Sequence, residues 1–179
     1  MKSKKVIFLV FALVLLTVPM YMMIASEGVL ENGHFHKLKL RAYDPFDPFR
    51  GKYLNLNYDN SLKYDEGLEI GQTCYVTLAK DSLGFSRFDY AHATKPKGDD
   101  YIKTLIGWIS DDACSIKTDN LSKYFINEDK AAKAEHIVQE YQREHPDDIY
   151  VGIRVLNGEV RLEDIYIEEI PILEYLEKQ

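Results

Sequence analysis

The sequence predicts a mainly β domain of the α+β class on an N-terminal transmembrane helix. The expected architecture is an antiparallel β-sandwich or partly open barrel with one late amphipathic helix. Three observations lead there. Residues 6–25 (VIFLVFALVLLTVPMYMMIA) run without a single charge. About seven or eight later stretches alternate apolar and polar residues, the period of a strand with one buried face. Only residues 127–145 switch to the three- and four-residue steps of a helix. Strands that follow one another through hairpin signals favour antiparallel pairing over an α/β sheet.

The apolar run spans roughly 30 Å as a helix, the thickness of a bilayer's hydrocarbon core. A cleaved signal peptide has a shorter apolar core and small residues at −3 and −1. Ala25 suits −1, but Met23 would stand at −3, so an uncleaved anchor is the better reading and a cleaved signal the alternative. Pro19 is tolerated in such a helix, where local adjustments re-satisfy the freed backbone groups. Lys2, Lys4 and Lys5 precede the run. Positive residues stay on the cytoplasmic side. The chain therefore divides into a cytoplasmic tail (1–5), a transmembrane helix (6–25), a stalk (26–33) and an extracytoplasmic domain (34–179), periplasmic or extracellular. Three of the 22 Lys and Arg precede the run and all 29 acids follow it, so the outer part carries a formal charge of −10. That balance argues against nucleic acid, which selects basic surfaces. The bilayer is met through residues 6–25, with no polybasic patch beyond the three lysines.

Beyond the run, helix is expected to continue through SEGVLEN and stop at Gly33, a residue suited to a left-handed C-terminal turn. HFHKLKLRAY (34–43) then alternates, with His36, Leu38, Leu40 and Ala42 on one face. KYLNLNYD (52–59) is a second strand, and residues 59–72 read as a polar loop with two glycines. TCYVTLAKD and SRFDYAHATK flank a hairpin connection at Ser82–Phe85. IKTLIGWIS and CSIKTD flank another at Asp111–Ala113. In the helical segment Ala131, Ala134, Ile137, Val138 and Tyr141 form the apolar stripe. Asn127 is its candidate N-cap, and Pro146 enforces its end. IYVGIRV and EVRLEDIYIEEI flank Asn157-Gly158, the strongest short hairpin signal in the chain. The apolar phase of the last strand slips from Val160 and Leu162 to Ile165 and Ile167, which predicts a bulge near Glu163-Asp164.

Chemistry-bearing residues are sparse. Cys74 and Cys114 lie on apparent strands beside apolar alternates. A disulfide between them is permitted in an oxidising compartment. Reduced cysteine also packs as a small buried hydrophobe, which is the simpler reading. His34 and His36 share a strand face but lack a third ligand at metal spacing, so solvent-exposed histidines are expected. Asp99-Asp100, Asp111-Asp112 and Asp147-Asp148 read as solvated turns. Tyr150, Gly152 and Arg154 share one strand face and form a candidate contact surface. No catalytic set, metal set or cofactor motif is apparent, and none is predicted.

One stretch stands apart, DPFDPFRGKYLNLNY (44–58). Proline forces Asp44 and Asp47 into extended backbone, and a three-residue period would align both with Arg50 along one edge. An Asp–Arg clamp that turns the chain into a strand needs no ligand, because the guanidinium fork matches a carboxylate. The alternative is a small ion site on that edge. If the stretch binds something, the candidates are Asp44, Asp47, Arg50, Gly51, Tyr53, Leu56 and Tyr58.

The same residues resemble the GDYxxLxY family, whose members read approximately DPxDxFRGDYVxLxY shortly after one transmembrane segment. The resemblance extends to Gly84-Phe85, to YFINEDKAAKAE (124–135) and to the closing LEDIYIE (162–168). Lys52 stands where the family's name-giving Asp belongs. The resemblance implies a bacterial, membrane-anchored protein of uncharacterised function, with a multi-pass membrane protein as its neighbour and partner. It supplies no catalytic residue. The functional expectation is an accessory or binding protein for another membrane protein. The alternatives are an envelope hydrolase and a small-ligand or metal sensor.

Overall fold

A computed structural model describes residues 2–41 and 53–178. The apolar run belongs to one helix, α1 (Lys2–Asn32), long and apolar enough to cross a membrane, with a mean hydropathy of 2.6 over its most apolar window. Four strands follow: β1 (His34–Leu38), β2 (Tyr53–Asn55), β3 (Ser61–Tyr64) and β4 (Thr73–Lys80). Next come β5 (Phe85–His92), β6 (Tyr101–Ile109), β7 (Cys114–Ile116) and β8 (Lys123–Phe125). The chain closes with α2 (Glu128–Glu144), β9 (Ile149–Leu156), β10 (Glu159–Ile167), β11 (Ile170–Pro171) and the short α3 (Ile172–Glu177).

The β-rich class holds, and the sheet closes into a barrel. Its order is β11-β10-β9-β1-β5-β3-β7-β6-β4, and β4 also pairs with β5, so β5, β3, β7, β6 and β4 form a ring. Closure removes the open edges that an isolated sheet leaves. Cys74, Val76, Ala91, Ile106, Cys114 and Ile116 are buried in the core, each at most 3% exposed. β1, β9, β10 and β11 extend the sheet beyond the ring, while β2 and β8 pair as a separate ribbon. The pairing is not wholly antiparallel: β5 runs parallel to both β1 and β3. The segment read as a polar loop contains β3, four residues of which only Leu62 is buried.

The local predictions turn on particular residues. Asn157 and Gly158 take φ of 52° and 90°, the positive pair that a tight hairpin needs. Register slips between Leu162 and Asp164, where the bulge was expected. α2 begins after Asn127, but the Asn127 side chain makes no cap hydrogen bond. α1 stops at Gly33 for a reason other than a left-handed turn. A Cβ there would lie 2.4 Å from the Val29 carbonyl oxygen and 3.0 Å from the Arg154 Cβ, so glycine is required by close approach. β10 and β11 are joined by Glu168-Glu169, both with positive φ although neither is glycine. Tyr141 donates to Glu168 and Tyr150 to Glu169, each at 2.7 Å, and these bonds hold the turn.

The last turns of α1 do not form a free stalk. Val29 is buried, and Arg161 Nε donates to the Ser26 hydroxyl at 2.9 Å. Arg154 reaches the Gly33 carbonyl at 3.3 Å. The helix thus seats on the β9–β10 hairpin as it leaves the apolar run.

Candidate functional site

Of the motif residues, Asp44, Asp47, Arg50 and Gly51 lie outside the described residues, as does Lys52. The remainder of the motif forms a latch. Leu54, Leu56 and Tyr58 alternate inward and are at most 6% exposed. Tyr58 donates its phenol to the Leu121 carbonyl at 2.8 Å, and Leu56 N–H donates to the Ser122 carbonyl at 2.8 Å. Burial pushes the Tyr58 phenol far up, so it remains a donor. β2 pairs antiparallel with β8, and the motif is thereby tied along residues 121–125. Tyr53 faces outward instead. Its ring lies 5.8 Å from that of Phe125, which is 72% exposed, and Lys123 Nζ sits 5.1 Å above it. Leu56 and Tyr58 are therefore packing residues, and Tyr53 carries the motif to the surface.

A second constellation was only half visible in the sequence. His36 is buried, not solvent-exposed as expected, while His34 is exposed beside it. His36 Nε2 lies 2.7 Å from Asp100 Oδ1, and Nδ1 lies 2.9 Å from the Ser86 hydroxyl. A carboxylate only accepts, so in the neutral ring Nε2 carries the hydrogen and Ser86 donates to Nδ1. Burial lowers the His36 pKa, and the Asp100 charge and hydrogen bond oppose that shift. Lys80 and His34 reinforce the lowering. Serine, histidine and aspartate invite comparison with a hydrolytic triad, but the order is inverted. Here the hydroxyl is sealed in the core at 4% exposure and the carboxylate is outermost. A triad instead needs its hydroxyl open to substrate and its carboxylate buried behind the imidazole. What the relay does is fasten the 93–100 loop to β1 and β5. Asp99 adds a second tie, its carbonyl accepting from Asn157 N–H at 2.9 Å. Ser86 and Asp100 were missed because they lie 50 and 64 residues from His36.

The motif latch over residues 53–58 and the closing hairpin lie on one continuous match. A family model described as GDYXXLXY protein matches residues 15–165. The chain belongs to the GDYXXLXY family. Neither curated proteins nor solved structures yield a match to it.

In this GDYXXLXY protein the other sequence candidates are taken up internally. Tyr150 is buried and stacks on Tyr166 with ring centroids 5.1 Å apart. Gly152 is covered by Phe35 and Tyr166, whose ring atoms would lie within 2.8 Å of an added Cβ. Arg154 pairs with Glu163 at 2.6 Å, and its guanidinium lies over Phe35. Lys37 and Lys39 sit likewise over Tyr150 and Phe85, each with a carboxylate at 2.6 Å. The face that looked like a contact surface is thus a cation-capped aromatic ladder. Cys74 and Cys114 are buried free thiols. Burial, with a smaller contribution from Cys114, pushes the Cys74 pKa up to about 11. No group of three metal-ligating side chains occurs among the described residues.

Proposed function

We propose that this GDYXXLXY protein is an accessory domain held at the extracytoplasmic surface of a bacterial membrane, where it binds another membrane protein. The observation that carries the reading is the seat of α1 on the β9–β10 hairpin. Ser26, which directly follows the apolar segment 6–25, accepts from Arg161, and Val29 and Gly33 are packed against the domain. A domain mounted in this way presents constant faces to its neighbours in the plane of the bilayer. Phe125, beside the outward motif residue Tyr53, is a large exposed apolar side chain of the kind that interfaces enrich. The family resemblance points to a multi-pass membrane protein as the partner, and the basic residues before the run support an outward-facing domain.

The test places a photo-crosslinking residue at Phe125 in the full chain and irradiates intact cells. A discrete adduct with one integral membrane protein, which also copurifies in mild detergent, is expected. A chain that forms no adduct and purifies as a solitary monomer overturns the proposal.

A further inference from the structure

We propose that a pocket beside the β9–β10 hairpin binds a small zwitterion with an apolar body, namely an apolar amino acid or a dipeptide. The cavity holds about 370 Å³, within the range of small-molecule sites. It opens between β6, the chain that follows β7, and the start of β10. Its floor is apolar: Phe88, Ile102, Ile116, Leu121 and Val160 line it, each at most 6% exposed. Its rim is charged with both signs, by Lys103 and Lys117 and by Asp119 and Glu159.

Three of these four rim charges are unpaired among the described residues. Among the described residues, Lys103, Lys117 and Asp119 have no ion pair and no side-chain hydrogen bond. Glu159 meets only Arg161, at 3.4 Å. On the aromatic ladder, by contrast, Lys37, Lys39 and Arg154 each have a carboxylate at 2.6 Å. An anion alone would face Asp119 and Glu159, and a cation alone would face the two lysines. An uncharged apolar molecule would desolvate the rim without pairing it. A carboxylate and an ammonium on one apolar body satisfy both signs and cover the floor. Glu159 also links the pocket to the anchor, because its partner Arg161 bonds Ser26. This site does not depend on the accessory reading.

The test is calorimetric titration of the full chain in detergent with L-leucine, L-phenylalanine and the Leu-Leu dipeptide. The charge-blocked analogues are N-acetyl-leucine, leucine amide and N-acetyl-leucine amide. At least one zwitterion is expected to bind with one-to-one stoichiometry, and each blocked analogue about tenfold or more weaker. Lys117→Gln and Asp119→Asn, both exposed positions, should each weaken binding about tenfold with unchanged thermal unfolding. Absence of binding by all three zwitterions overturns the proposal. So does a blocked analogue that binds as tightly as its parent, or a rim variant that binds as the natural chain does.

Discussion

Tyr58→Phe isolates what the family motif contributes to the fold. The ring is 6% exposed and meets Phe88 edge-on at 6.5 Å, and phenylalanine keeps both features. Only the hydroxyl is lost, and with it the 2.8 Å bond to the Leu121 carbonyl. Leu121 is 2% exposed, so the structure offers that carbonyl little access to water as a replacement donor. A buried acceptor left unsatisfied costs about 1–3 kcal/mol. In a domain of this size each kcal/mol shifts the melting temperature by about 2–4 °C. The assay is urea and thermal unfolding of the full chain in detergent, followed by the single tryptophan, Trp108. The companion Tyr53→Phe alters a partly exposed ring and should stay within about 0.5 kcal/mol of the natural chain. If Tyr58→Phe unfolds at the same urea concentration as the natural chain, the latch reading is wrong.

Three further predictions follow from the buried groups and the tight contacts. His36 has its pKa lowered below the ordinary 6.5, chiefly by burial, so the unfolded chain takes up its proton first as pH falls. Its contribution is complete above about pH 6.5 and is lost as pH drops through the folded value. The midpoint of urea unfolding should therefore fall from pH 7.5 to 5.5, and by less in His36→Gln. An equal fall in both would refute the assignment. Asp164, raised by burial, works in the opposite sense, which is why the comparison is made between variants. Cys74 and Cys114 should be unreactive to a thiol reagent at pH 8 when folded and give two equivalents after unfolding without reductant. No reaction in the unfolded chain would reveal a bridge. Gly152→Ala sets a methyl 2.7 Å from Tyr166 and 2.8 Å from Phe35, and should lower stability by about 1–3 kcal/mol in the same unfolding assay.

Features with local causes were legible in the sequence. Asn157-Gly158 dictates its own turn, and the phase slip across Glu163-Asp164 is the bulge itself. α2 was readable because its stripe repeats over seventeen residues. β3 was not, since four residues with one buried side chain carry too little alternation. The Glu168-Glu169 turn also escaped, because side chains distant in sequence hold two non-glycine residues at positive φ. The parallel β1–β5 and β3–β5 pairs depend on partner choice, which no local window contains. The site shows the same division. His36 shares the alternating face of Leu38, and that face proved to be the inward one. His34 shares that phase and is nevertheless exposed at the strand's start, so alternation alone does not say which histidine is buried. The burial of His36 and its partners Ser86 and Asp100 are therefore seen only in the fold.

The claim on which the functional reading rests is that anchor and domain move as one body. Spin labels at Met22→Cys, on the exposed face of α1, and at Lys97→Cys, in the loop tied to His36, measure this directly in the full chain in nanodiscs. The buried native thiols should not compete for label. One narrow distance distribution is expected, broadened by Arg161→Ala through loss of the bond to Ser26. A broad distribution in the natural chain, unaltered by that substitution, would show a domain swinging on a free stalk and contradict that claim.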